Sequence, residues 1–179
     1  MALQVAFLRG MNLGGRRIKN EQLRAEFERL GFERVATFRA SGNVVFDGGQ
    51  ANQATLTGRI EAGLGAALGY EVPVYLRSAR EVAAIAAAEP FEAAALTAST
   101  GKVQVQLVAV EPAAAARRAV LAHATDEDRL ALVGRELYWL PSGGISESDL
   151  DLKAIDAILG AGTMRTKGTI EQIAAKHCE

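Results

Sequence analysis

The same order of strand-type and helix-type apolar patterns runs through the chain twice, and this repetition constrains the fold more than any other feature. Residues 3–9 form a short apolar run ending in Gly10-Met11-Asn12-Leu13-Gly14-Gly15, the pattern of a buried strand followed by a turn. A helix is predicted over 21–30, with Asn20 as N-cap, Leu23, Phe27 and Leu30 on one face, and Gly31 as its stop. Residues 34–39 and 43–47 read as two strands joined by a hairpin turn at Ala40-Ser41-Gly42. A second helix carries Leu56, Ile60, Leu64 and Leu68 at every fourth position; Gly58, Gly63 and Gly65 weaken it and predict close backbone packing there. A fourth strand is expected over 71–77. Pro73 has no N–H to give a ladder, which predicts a sheet edge. Ser78-Ala79-Arg80-Glu81 then has the form of a capping box and opens a helix that ends before Pro90.

The second half repeats the order. Residues 102–110 alternate Val103, Val105 and Leu107 with Gln104 and Gln106. Pro112 suits the first turn of a helix ending near His123. Residues 129–133 and 136–140 predict a hairpin across Gly134-Arg135. The loop Pro141-Ser142-Gly143-Gly144 leads to a helix over 150–159, a short strand over 163–166 and a terminal helix over 170–176.

Each half therefore reads βαββαβα. The fold class expected is α+β: two ferredoxin-like βαββαβ modules with antiparallel sheets, each followed by an extra helix. The expected bounds are 1–90 and 102–179. The connector, 91–101, holds Phe91, Ala93 and Leu96, too apolar for a free linker, and is expected to pack. The first strand is apolar at both parities, Val5 and Phe7 against Ala6 and Leu8, so both its faces need cover. The extra helix, the other half or a second chain can supply it.

Composition removes several function classes. A chain of 179 residues with 49% hydrophobic content has ample material for a core. Twenty basic against 21 acidic residues, a net charge of -1, is no bulk signature of a nucleic-acid or membrane binder. The one cysteine, Cys178, has no second thiol for a disulfide or a zinc site, which fits a reducing, cytoplasmic location. The opening residues lack the form of a signal peptide, and no apolar run reaches the ~18 residues of a membrane span. A sheet that stacks RNA bases would present Phe7 and Phe46, but a basic, aromatic-dense motif is missing and aromatics are 6%, so core packing explains both better.

The run Val5-Ala6-Phe7-Leu8-Arg9-Gly10-Met11-Asn12-Leu13-Gly14-Gly15 resembles the opening motif of the bacterial family called domain of unknown function 1697. Ser41-Gly42-Asn43-Val44-Val45-Phe46 is similar to that family's second motif, and Leu137-Tyr138-Trp139-Leu140-Pro141-Ser142-Gly143-Gly144-Ile145 to its third. Thr163-Met164-Arg165-Thr166 resembles the fourth, although many members have Arg-Asn-Trp where this chain has Arg165-Thr166-Lys167. The resemblance spans nearly the whole chain. It implies the two-module ferredoxin-like fold and no known reaction.

The glycine loop is the first candidate site. Its glycines let backbone N–H groups approach an anion, and Arg9, Arg16 and Arg17 add charge beside Asn12, Gly14 and Gly15. It is not a P-loop, because Arg16 and Arg17 stand where that motif needs Lys and Ser/Thr. An arginine following four apolar residues needs a partner, and Asp47 or a ligand anion is expected to serve Arg9. Ser41 and Asn43 are further candidates. They are treated as a separate site, on the expectation that the hairpin tip lies at the opposite sheet end. A tight turn is the plainer reading, because those residue types dominate turns.

Ser142, Gly143 and Arg165 are a further possible anion site, against the plain reading of a loop before a helix. Glu147, Asp149 and Asp151 suggest magnesium or, more simply, the acids that complement a helix dipole. Asp126-Glu127-Asp128 reads as a solvated turn. His123 and His177 stand alone, and no G-x-S-x-G, H-E-x-x-H or C-x-x-C occurs, so no catalytic, metal or cofactor set is identified. The reading is a cytoplasmic module that binds a small anionic or phosphorylated ligand through residues 10–17. The alternatives are a protein-interaction or homo-oligomer module, and an enzyme whose site carries no known motif.

Overall fold

A computed structural model describes residues 2–39 and 42–178. The first half contains β1 (Leu3–Leu8), α1 (Asn20–Arg29), β2 (Glu33–Thr37), β3 (Asn43–Asp47), α2 (Gln53–Leu68), β4 (Val74–Ser78) and α3 (Ala79–Ala87). A short helix, α4 (Ala93–Ala98), precedes the second half. There follow β5 (Gln104–Val108), α5 (Ala114–Leu121), β6 (Asp128–Val133), β7 (Glu136–Pro141), a 3-10 turn at Ile145–Glu147, α6 (Leu152–Leu159), β8 (Gly162–Thr166) and α7 (Lys167–His177). The strands form two four-stranded sheets in the orders β2-β3-β1-β4 and β6-β7-β5-β8, with every pairing antiparallel. These are two ferredoxin-like modules. The chain divides into one compact unit of Met1–Ala84 with Ile173–Glu179 and another of Ile85–Gln172.

The registers make the repeat concrete. Val5 pairs with Val45 and Arg77, and Val105 pairs with Tyr138 and Arg165. Arg77 and Arg165 thus hold equivalent places on the two last strands. Each donates from its Nη1 to the carbonyl of the residue before it, Leu76 or Met164, at 2.8 Å. The strand ends also match in use. The Ser78 hydroxyl accepts from the Glu81 N–H at 3.2 Å, and the Thr166 hydroxyl accepts from the Thr169 N–H at 3.2 Å, so each edge strand caps the helix that follows it.

In the first unit, Phe27 of α1, Phe32 and Phe46 of β3 form an aromatic knot with ring centroids 4.6–5.9 Å apart. Ala6, Leu8, Met11, Leu56, Ile60 and Leu64 complete that core. In the second unit Val120, Leu132, Leu137 and Ile155 pack together. Both parities of β1 are buried, Val5 and Phe7 as fully as Ala6. Phe7 and Phe46 are wholly buried and offer no stacking face.

Two expectations are corrected. Pro73 lies ahead of β4 instead of within it. The strand is nonetheless an edge, and the Pro73 carbonyl accepts the Arg9 N–H at 3.0 Å. Within the connector, α4 has no buried residue and Leu96 is exposed, whereas beyond it the Ser99 hydroxyl donates to the Pro141 carbonyl at 2.5 Å and the Thr100 N–H to the Ser142 carbonyl at 3.0 Å. Asp128 is no solvated turn residue; it begins β6 and is buried.

Candidate functional site

The glycine loop runs from the end of β1 to the start of α1. Two residues pin it to the core beneath: Met11, which is buried, and Ile18, which is partly buried. Between them the chain is exposed, from Asn12 through Arg17. Gly10, Gly14 and Gly15 take φ of +72°, +63° and +81°, the left-handed region that side chains with a Cβ resist, so the glycines are needed for the turn itself. No atom lies within 4 Å of where a Cβ at Gly14 or Gly15 would stand, so this part of the backbone faces open space. The Arg16 N–H closes a turn on the Leu13 carbonyl at 3.1 Å.

Helix α1 begins one residue earlier than expected, with Lys19 as N-cap, because the Gln22 carboxamide accepts the Lys19 N–H at 3.1 Å. A lysine has no acceptor to offer the first-turn N–H groups, so the helix is without a side-chain cap. Its positive end opens into a cleft of about 840 Å³ lined by Asn12 and residues 17–22. Arg16, Arg17 and Lys19 make no ion pair or side-chain hydrogen bond among the described residues, whereas Arg24 and Arg29 on the same helix are paired with Glu28 and Glu26. The Arg16 guanidinium lies over the Tyr70 ring, 4.1 Å from its centroid.

The hairpin tip joins this end of the sheet and not the opposite one. Antiparallel pairing of Phe7 with Asn43 brings the start of β3 beside the end of β1, and the Leu8 N–H donates to the Gly42 carbonyl at 2.8 Å. The separation expected from the sequence is therefore wrong: strands that run antiparallel place the end of one beside the start of the other. Ser41 lies outside the described residues. Asn43 is fully buried, and its side-chain amide donates to the Phe38 carbonyl at 3.0 Å while the Phe38 N–H donates to its carbonyl at 2.9 Å, so it holds the hairpin closed. Asp47 is not the partner of Arg9. It pairs with Leu3 at the other end of β1, where the Gly49 and Ala2 N–H groups bind its carboxylate.

The Ser142–Gly143 loop belongs to the second unit, where a cavity of about 570 Å³ is lined by Glu127, Asp128, Glu147, Asp149 and Asp151 as well as by Ser142 and Gly143. That lining repels an anion. The Ser142 hydroxyl is turned onto the Glu127 carboxylate. Arg165 does not line the cavity; it sits on β8, bonded to the Thr163 hydroxyl at 2.8 Å, and burial pushes its guanidinium down to about 10. The proposed grouping of Ser142, Gly143 and Arg165 is thus not assembled, because β8 carries Arg165 along the far side of β5 from β7. Asp128 is buried under two donors, the Trp139 indole N–H and the Ser148 hydroxyl, both at 2.7 Å. Asp151 caps α6 by accepting from the Ala154 N–H at 2.9 Å, the plainer of its two readings. Lys19 and Tyr70 escaped sequence reasoning. Lys19 sits at a position where a cap residue with an acceptor is expected, and nothing in the sequence joins Tyr70 to Arg16.

Residues 1–138 match a family model described as a protein of unknown function, DUF1697. A solved structure, that of the conserved bacterial protein SP0830 from Streptococcus pneumoniae, is similar across 98% of this chain and 97% of that one, with a TM-score of 0.70 and 17% identity. At that identity the likeness speaks for the fold alone. No curated protein matches the chain.

Proposed function

We propose, from the premise that the chain belongs to the DUF1697 family of proteins of unknown function, that it is a cytoplasmic binding module for a small anionic ligand, held by the loop of residues 10–17 and the start of α1. The observation that carries this reading is the set of three cations without an ion pair among the described residues, Arg16, Arg17 and Lys19, around a helix start that lacks a side-chain cap. Unpaired charge is common on a surface. Here it is gathered where exposed backbone and a positive helix end favour the same sign of ligand. A carboxylate in the first turn, Glu21, faces the same cleft and limits the net charge a ligand can carry. The location is supported by the single cysteine and by the fact that no helix among the described residues is long and apolar enough to cross a membrane.

The test is a thermal melt of the full chain with inorganic phosphate, pyrophosphate and a sugar phosphate, followed by calorimetric titration of any that shifts it. Pyrophosphate is expected to raise the melting temperature, and Arg17→Ala and Lys19→Ala each to weaken binding about tenfold, the loss of one charge-assisted hydrogen bond. No shift with any of the three anions removes the reading.

A further inference from the structure

Resting on that reading, we propose that Tyr70 is a positioning residue of the anion site, holding Arg16 ready for an oxyanion that offers two acceptor oxygens side by side. Tyr70 comes directly after Gly69, whose φ of +76° ends α2 in a left-handed turn. Its body packs against the core of the first unit, so the ring is a fixed shelf. Arg16 lies over that ring with its guanidinium carbon 4.1 Å from the centroid. The backbone of Arg16 is held as well, by its turn onto Leu13. The side chain is thereby restrained at its backbone and at its guanidinium, on a loop that is exposed from Asn12 to Arg17, Arg16 included.

A guanidinium stacked on an aromatic face keeps its N–H donors directed outward around its rim. No described residue accepts from those donors. That rim is a planar fork, and it matches the paired oxygens of a phosphoryl or carboxylate group better than a single acceptor. An arginine fixed this way loses less side-chain freedom on binding than a free one. The ring, and not the phenol hydroxyl, does the positioning.

The experiment is calorimetric titration of the full chain with pyrophosphate, comparing wild type with Tyr70→Phe, Tyr70→Leu, Arg16→Ala, Arg16→Lys and the Tyr70→Leu, Arg16→Ala double variant. Tyr70→Phe is expected to keep the wild-type affinity. Tyr70→Leu, which keeps apolar packing without the ring's charge distribution, is expected to weaken binding about threefold to fivefold. Arg16→Lys retains charge without the fork and should also bind more weakly. In the Arg16→Ala background, Tyr70→Leu should cost nothing further, a coupling that mere loss of packing does not produce. Wild-type affinity in Tyr70→Leu, additive losses in the double variant, or an unaffected Arg16→Ala each overturn the role of Tyr70 while leaving the site in place. Absence of pyrophosphate binding by the wild type overturns the site itself.

Discussion

The Leu8 N–H donates to the Gly42 carbonyl across 2.8 Å, and that bond fastens the β2–β3 tip to the root of the glycine loop. Gly42 has φ of +71°, and a Cβ there would stand 3.1 Å from both Leu8 Cβ and Met11 Cγ. Gly42→Ala combines a left-handed backbone with a tight contact against the residue that pins the loop. We expect it to lower stability by about 1–2 kcal/mol from the backbone strain alone, read as an earlier urea midpoint at unchanged slope. Gly14→Ala meets no neighbouring atom and should show the strain without the contact. Equal losses in the two variants would show that Met11 yields freely.

That junction also shows where sequence reading stopped. The strand and helix order was legible because periodicity in apolar residues is a local signal, and Val5, Phe7, Val45 and Phe46 carry it plainly. The meeting of Leu8 with Gly42 follows from the antiparallel pairing of Phe7 with Asn43, and a single error in strand direction was enough to hide it. Charge at the Ser142 loop was hidden differently. Glu127 and Asp128 come from the β6 start, Glu147 and Asp149 from beyond β7, and only the fold gathers them. The contact of Arg16 with Tyr70 likewise depends on where α2 ends, which periodicity does not fix.

Asp128 and Trp139 offer a direct probe of the second unit. Trp139 is the chain's one tryptophan, 2% exposed, and its indole N–H has Asp128 as acceptor at 2.7 Å. Asp128→Ala leaves a buried donor without that partner, which costs about 1–3 kcal/mol. Tryptophan emission should move to longer wavelength and the unfolding midpoint should fall. Asp128→Asn keeps an acceptor oxygen and should lose less.

Tyr138 sets an alkaline limit. Burial, aided by the Glu136 carboxylate, pushes its phenol up to about 12. A folded-state value above the ordinary one near 10 means that the protonated form is favoured by the fold. Its contribution is fully present below pH 10 and is lost as pH rises toward 12. In a tyrosinate absorbance titration one of the chain's three tyrosines should therefore ionise late, and Tyr138→Phe should remove that late step and flatten the alkaline fall in stability.

Asp47 acts at the other end of the scale. The Gly49 N–H, with help from the Ala2 N–H, holds its carboxyl below the ordinary range despite some desolvation. A lowered folded-state value contributes stability above the ordinary carboxyl pKa and loses it as pH falls through the lowered one. Urea midpoints followed from neutral into strong acid should fall less steeply for Asp47→Asn than for wild type. An unchanged acid limb would remove Asp47 from the account.

The three glycines of α2 separate two roles that composition alone cannot distinguish. A Cβ at Gly58 meets nothing within 4 Å, and one at Gly65 meets only the Tyr70 carbonyl at 3.9 Å. At Gly63 it would fall 2.4 Å from Leu30 Cδ2 and 2.8 Å from Leu30 Cδ1, on the side chain that closes α1 against α2. The close packing expected of all three therefore holds at Gly63 alone. Gly58→Ala should raise stability by about 0.5–1 kcal/mol, because alanine loses less backbone freedom in a helix. Gly63→Ala gains the same backbone term but forces Leu30 to turn out of its place, so its melting temperature should fall short of that of Gly58→Ala. Adding Leu30→Ala to Gly63→Ala relieves the clash and should recover part of the difference; two glycine variants of equal stability would mean that Leu30 moves without cost.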